Sequence, residues 1–256
     1  MDLVNSSAVV TGGGSGLGEA CARQLAKLGA KCVVIDLNEE KGQAVAADIG
    51  GQFVKADVSN PEQVQKAIDA AVAMAPLRAL VNAAGIGSAG RTVNRDGTPF
   101  DLDTFEFVIR VNLIGTFNCL RLAAAAMSQS KPLDAQGQRG AIVNMASVAA
   151  FDGQIGQCAY SASKGGVVGM TLPIARDLSA NGIRVNTVAP GLIDTPIYGV
   201  GEESEAFKAH LGMNVLFPKR LGYADELASM VMELLTNDYM NGEVVRVDGG
   251  IRMPPK

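Results

Sequence analysis

The chain contains no tryptophan and a single histidine, His210, in 256 residues. One imidazole argues against multi-histidine metal chemistry and against a histidine-based triad. No metal site is expected, and His210 reads as a solvent-exposed residue rather than a substrate contact. Cysteine is equally sparse. Cys21, Cys32, Cys119 and Cys158 form no CxxC pair, so neither a disulfide framework nor a zinc cluster is indicated, and a reducing compartment fits. Positive charge is in short supply. Lys and Arg number 22 against 26 Asp and Glu, for a net charge of −4. A protein that tracks phosphates through basic side chains is normally cationic, so nucleic acid is not an expected partner. No run of 18 apolar residues is present, so no membrane span is expected. The start of the chain lacks a basic segment followed by an apolar core, and lacks an Arg-rich transit pattern. The expected location is the cytoplasm, or the mitochondrial matrix if a presequence has been removed from a eukaryotic precursor.

Apolar material is plentiful. Hydrophobic residues make up 48% of the chain and charged residues 19%, which supplies a sizeable core and excludes a disordered chain. Short Val- and Ile-rich runs recur at Ala8–Thr11, Lys31–Asp36, Gln52–Lys55, Ala79–Asn82, Gly140–Met145, Arg184–Ala189 and Val244–Val247. They are bounded by Gly, Asn, Asp or Pro, as buried parallel strands are. Helical patterns lie between them, near 16–28, 39–48, 61–74, 101–127, 158–180 and 224–235. This alternation predicts βαβ units and a doubly wound, Rossmann-like parallel α/β sheet of about seven strands with helices on both faces. No linker divides the chain, so 1–256 reads as one dinucleotide-binding and catalytic domain. Two polar, turn-rich stretches, 87–100 and 128–139, read as surface insertions. The segment 197–216 reads as a mobile lid over a ligand or as a short surface helix pair.

Three groups of residues carry chemistry. The first strand runs into Thr11-Gly12-Gly13-Gly14-Ser15-Gly16-Leu17-Gly18 and then a helix. Glycines at 12, 16 and 18 permit a tight turn and close approach of a pyrophosphate to the backbone around Ser15 and Leu17. The helix N-terminus behind them offers free N–H groups and partial positive charge. The second strand ends at Asp36, whose carboxylate can accept hydrogen bonds from an adenosine ribose diol. It would repel the 2′-phosphate of NADP, and its neighbours Leu37 and Asn38 supply no cation, so NAD is favoured. Asp57 and Val58 follow the third strand, where an adenine edge could be held.

The second group is Tyr160 and Lys164, one turn apart on one helical face. A tyrosine near its usual pKa of about 10 is a poor acid–base catalyst at neutral pH. A neighbouring ammonium stabilises tyrosinate and lowers that pKa. Ser147 lies 13 residues earlier at a strand end, where its hydroxyl could polarise a carbonyl. Asn112, polar in an apolar helical stretch, reads as a helix bend, a water-linked proton relay or a satisfied buried amide. The third group comprises small residues at strand ends. Asn82, Ala83 and Gly85 could let a cofactor approach the backbone. The run from Pro190 and Gly191 through Ile193 to Thr195 could flank a nicotinamide ring.

In their order and spacing these motifs resemble the short-chain dehydrogenase/reductase family over nearly the whole chain. The resemblance rests on TGGGSGLG at 11–18, NAAG at 82–85, the Asn of VNLIGTFN, Ser147, YSASK at 160–164 and APG at 189–191. It implies a nicotinamide cofactor and no metal in the chemistry. By resemblance, Tyr160 is the general acid/base, Lys164 holds the ribose and lowers the tyrosine pKa, Ser147 orients the substrate oxygen, and Asn112 completes a proton relay. Homotetramers are typical of the family, with the long helices at 101–127 and 158–180 in one interface. The stretches 138–157, 161–178, 241–244 and 251–253 are similar to the type 2 3-hydroxyacyl-CoA dehydrogenase subgroup, 17-beta-hydroxysteroid dehydrogenase type 10-like. That likeness implies NAD-dependent interconversion of short-chain, including 2-methyl-branched, 3-hydroxyacyl-CoA and 3-oxoacyl-CoA, with Gln157 facing the substrate. The chain departs from the subgroup at 87–100 and 197–216. Alternatives are a hydroxysteroid or other small-alcohol dehydrogenase, a 3-oxoacyl-thioester reductase, or a non-enzymatic NAD-binding scaffold or sensor.

Overall fold

The β-branched runs become strands that hydrogen-bond in parallel, and their burial follows their position. In chain order β1 (Ser7–Thr11), β2 (Lys31–Asp36), β3 (Gln52–Lys55), β4 (Leu77–Asn82), β5 (Gly140–Met145), β6 (Ile183–Pro190) and a last strand Val244–Val247 form one sheet. The strand order is β3-β2-β1-β4-β5-β6 and then the last strand, with every pair parallel. The interior strands β1, β4, β5 and β6 are buried along their whole length, whereas the two edge strands are partly open. Interior strands covered on both faces lose the polar–apolar alternation and read as continuous apolar runs. The structure, a computed structural model, describes residues 1–199 and 201–255; Val200, within the expected lid, and Lys256 lie outside the described residues.

Alternate strand residues feed two cores. Ala8, Val10, Val34 and Val81 pack with α1 (Gly16–Lys27), α2 (Glu39–Asp48) and the helix Ala224–Thr236 on one face. Val9, Val33, Ile35 and Leu80 pack on the other face with α3 (Pro61–Met74), α5 (Thr116–Ser128) and α6 (Cys158–Ser179). Asn38 and Asn60 start α2 and α3 by accepting from Lys41 N and Gln63 N, each at 3.0 Å, and Pro61 occupies the first turn of α3. Such caps satisfy donors that the first helical turn leaves free.

The single helix expected at 101–127 is three pieces. α4 (Leu102–Ile109) passes through a π-helical segment, Arg110–Gly115, into α5. Wider turns of this type arise where a side chain needs room that the regular ladder denies, and Asn112 sits inside it. The run Leu102–Ser128 is long and apolar enough, by length and composition, to cross a membrane, and half of its most apolar window is buried within the protein. Ser128, expected in an insertion, is the last residue of α5. The loop after it is pinned by Arg78, which donates to Ser130 Oγ, Lys131 O and Arg139 O. The 87–100 insertion folds on itself through a Val93–Pro99 bridge, and Gly90 N anchors it to Gly156 O at 2.8 Å.

The expected lid is a short helical turn, Pro196–Tyr198, followed by α7 (Glu202–Gly212). A two-residue strand pair, β7 (Ile193–Asp194) with Gly222–Tyr223, closes its base.

Candidate active site

The chain runs from β1 through β2 to β3 on one side of the sheet, then crosses back so that β4 pairs with β1 on the other. Loops leaving β1 and β4 at that reversal diverge and open a crevice beyond the carboxyl ends of the strands. A cleft of 370 Å³ occupies this position. Gly12, Ser15, Gly16, Leu17, Gly18, Asp36, Asp57, Val58, Ala83, Gly85 and Thr195 all line it.

The glycine loop is fitted closely. A Cβ on Gly18 would stand 2.1 Å from Gly12 O, so no larger residue can enter without moving the turn. Ser15 precedes α1 without its side chain capping the helix, which leaves first-turn N–H groups available to an anion. Asp36 is fixed from two sides, accepting Gly14 N and Asn38 N at 2.9 Å each. The nearby Lys55 is turned to Glu39 instead. A wall of small residues, a helix N-terminus and a tethered carboxylate at the second strand end fit a nicotinamide dinucleotide.

A second cavity of 450 Å³ continues from the cleft, sharing Leu17, Ala83, Gly85, Ile86 and Thr195 with it. It is lined by Ser147, Gln157, Tyr160, Lys164, Pro190, Gly191 and Ile193. Ser147 follows β5 and accepts from Ala149 N at 3.1 Å, starting the turn Val148–Ala150. Burial raises the Tyr160 pKa, and the neighbouring Ser147 hydroxyl lowers it by a smaller amount. Lys164 Nζ donates to Met145 O at 2.9 Å and lies 5.9 Å from the centre of the Tyr160 ring. Burial brings the lysine pKa down to about 8. The expected lowering of the tyrosine pKa by Lys164 rests on this proximity of the ammonium to the ring. In the protein fold itself Ser147 lowers it, burial outweighs that, and the lysine is desolvated in its own right.

Asn112 lines neither cavity. Its Oδ1 accepts Ile86 N at 2.8 Å, and its Nδ2 donates to Ile86 O at 2.9 Å and Ser163 Oγ at 3.1 Å. Both amide donors are thus used in clamping the β4 loop to α6. Asn112 Oδ1 and Lys164 Nζ nevertheless converge, lying 3.2 and 3.3 Å from the point where a Cβ on Gly85 would sit. Asn82 lies behind the wall formed by its motif neighbours Ala83, Ala84 and Gly85. It lines neither cavity, and its Nδ2 donates to Asn144 Oδ1 and Thr116 O, so it braces β4 against β5 and α5. The close approach to the backbone is provided by Ala83 and Ala84, whose N–H groups both donate to Thr11 Oγ1 at 3.1 Å. His210 is exposed, as expected.

Several lining residues carry no motif. Ile86, Phe107 and Val111 wall the cleft, and Tyr198, Phe207, Leu211 and Met253 wall the catalytic cavity. They come from insertions, helix flanks, the lid and the chain's last segment. Only the placement of the lid after Pro190–Thr195 hinted at three of them. Among the described residues no group of three or more His, Cys, Asp or Glu is placed to hold a metal ion.

The short chain dehydrogenase profile matches residues 6–205. The chain belongs to the short-chain dehydrogenase/reductase family. It is an oxidoreductase of a family that works with nicotinamide dinucleotides. It is 48% identical over 257 residues to 3-hydroxyacyl-CoA dehydrogenase type-2 of Drosophila melanogaster, covering 99% of this chain and 100% of that protein. Identity to the Homo sapiens protein of the same name is 49% over 252 residues, covering 97% and 95%. The crystal structure of 3-hydroxyacyl-CoA dehydrogenase type-2 from Mycobacterium avium superposes with a TM-score of 0.93, at 47% identity and 98% coverage of each chain. Ipsdienol dehydrogenase of Ips pini is 33% identical over 98% of this chain.

Proposed function

We propose that this short-chain dehydrogenase/reductase is an NAD-dependent 3-hydroxyacyl-CoA dehydrogenase that interconverts short-chain 3-hydroxyacyl-CoA and 3-oxoacyl-CoA. The carrying observation is the junction of the two cavities. Ser147, Tyr160 and Lys164 stand in a chamber that opens directly onto a cleft ending at Asp36. The acyl-CoA assignment draws on the type-2 relatives. A dinucleotide held along Gly12–Gly18 and Asp36 supplies the hydride acceptor. Tyr160 takes the proton of the substrate hydroxyl during oxidation and returns it during reduction. Ser147 donates to the same oxygen as charge develops there. Lys164, with a pKa about 8, exchanges protons near neutral pH, and Asn112 keeps the Ile86 backbone and the lysine's surroundings in register. Gln157 orients the substrate.

Asp36 disfavours the NADPH preference of a 3-oxoacyl-thioester reductase. A hydroxysteroid side reaction has one observation in its favour, the apolar wall formed by Phe207, Leu211 and Met253. A homotetramer is supported by exposed apolar residues on the long helices, with Phe117 and Leu172 each 46% exposed. A reducing location, cytoplasm or mitochondrial matrix, fits the four free cysteines. No nucleic-acid or membrane partner is proposed.

Initial rates with acetoacetyl-CoA test the assignment. Rapid oxidation of NADH and slow oxidation of NADPH are expected. Turnover of a hydroxysteroid or simple alcohol with none of the thioester would overturn the substrate and keep the chemistry.

A further inference from the structure

Tyr198 ends the short helical turn where the lid leaves β7. Its ring packs on Phe207 of α7, with centroids 6.2 Å apart and planes inclined by 57°. Its carbonyl accepts Ser204 Oγ at 2.9 Å, and Lys208 ties the same helix to Asp194 at 2.9 Å. The residue lines the catalytic cavity together with Tyr160. Burial and the charge of a nearby ionised Tyr160 both raise its pKa, so beside the general base it stays a protonated phenol and therefore a donor. Among the described residues no group hydrogen-bonds its hydroxyl, which opens onto the cavity.

Packing on Phe207 accounts for the ring and leaves the hydroxyl unexplained, since phenylalanine would fill the same space. A hydroxyl open to a cavity can exchange its water for an acceptor on a bound ligand. A 3-oxoacyl thioester carries two oxygens. Ser147 and Tyr160 take the one on C3, and the thioester oxygen lies two carbons further along. Ser88 and Thr195 also line the chamber, and two other polar side chains there are committed. Lys164 Nζ donates to Met145 O, and Gln154 Nε2 donates to Pro254 O. Gln157 Oε1 accepts Gln154 N, which leaves Gln157 Nε2 as another free donor.

We propose that Tyr198 is a specificity-determining residue whose hydroxyl donates to the thioester carbonyl oxygen, so that the enzyme selects 3-oxoacyl thioesters over isolated ketones. The inference rests on the acyl-CoA reading above. It is tested with two substrates that differ only at that oxygen: acetoacetyl-CoA, and S-(3-oxobutyl)-CoA, in which a methylene replaces the thioester carbonyl. The readout is the ratio of their kcat/KM values with NADH, in the unaltered protein and in Tyr198→Phe, because a ratio cancels the different intrinsic reactivities. The substitution keeps the aromatic packing, and NADH affinity by fluorescence titration checks that the fold is intact. A net neutral hydrogen bond predicts that the preference for acetoacetyl-CoA falls roughly 5- to 10-fold. An unaltered protein active on acetoacetyl-CoA whose preference changes by less than about twofold in Tyr198→Phe overturns this inference alone. An unaltered protein inert on both thiol derivatives overturns the acyl-CoA reading and this inference with it.

Discussion

The two halves of the active site are built by opposite means. On the cofactor side, backbone meets backbone. Gly18 has no room for a single added carbon, Asp36 is held by two N–H groups, and Thr11 Oγ1 ties the β4 loop to β1. On the substrate side, long side chains do the holding. Lys208 reaches Asp194 and Glu205, Ser204 reaches Tyr198 O, and Phe207 packs on Tyr198. Met213, Leu216 and Phe217 of the lid region remain largely exposed. Backbone packing tolerates few alternatives, whereas a clasp of side chains can be exchanged piece by piece. Such a division keeps the hydride chemistry constant and leaves the substrate open to change.

The seam between the halves is where the largest effect is expected. Tyr160→Phe removes the proton carrier and keeps the ring, so kcat should fall by about 10²–10⁴, while NADH titration is unchanged. Residual turnover within tenfold of normal would break the assignment of the seam to Tyr160. Next comes the rigidity of the cofactor side. Gly18→Ala forces a carbon against Gly12 O, at a cost of roughly 2–3 kcal/mol. Tm should drop by about 4–12 °C, and NADH binding should weaken with it. A normal Tm would mean that the loop yields more easily than its packing implies.

The cofactor side can also be altered without disturbing its frame. Asp36→Ser removes a charged acceptor worth roughly 1.5–3 kcal/mol. The NADH-over-NADPH preference in kcat/KM should shrink about 10- to 100-fold, with the response to the acyl substrate unaltered. The smallest effect is expected in the lid. Lys208→Met breaks an ion pair that faces solvent, so KM for acetoacetyl-CoA should rise only about two- to fivefold, with Tm and NADH affinity unmoved. Should this variant lose NADH affinity as strongly as it loses acyl substrate, the two halves are not independent.

Much of the cofactor side was legible because its motif acts locally. A glycine loop between a strand and a helix implies the same turn in any context, and Asp36 follows from strand length. The candidate catalytic residues were legible for a related reason, since Tyr160 and Lys164 share one helix turn. What was not legible depended on residues far apart in the chain. Asn82 turns to Asn144 and Thr116 instead of the cleft. The amide of Asn112 is used up by Ile86 and Ser163, and the helix widens around it.

The sequence by itself determined the alternation of strands and helices, the parallel sheet, the glycine loop and the candidate catalytic trio. Those features arise from periodicity and spacing, which are properties of neighbouring residues. Only the tertiary structure decided which cavity wall each lid residue joins, that Tyr198 faces the chamber of Tyr160, and that burial raises the pKa of Tyr160 and lowers that of Lys164. Burial and long-range contact sum contributions from many elements, and no local pattern contains that sum.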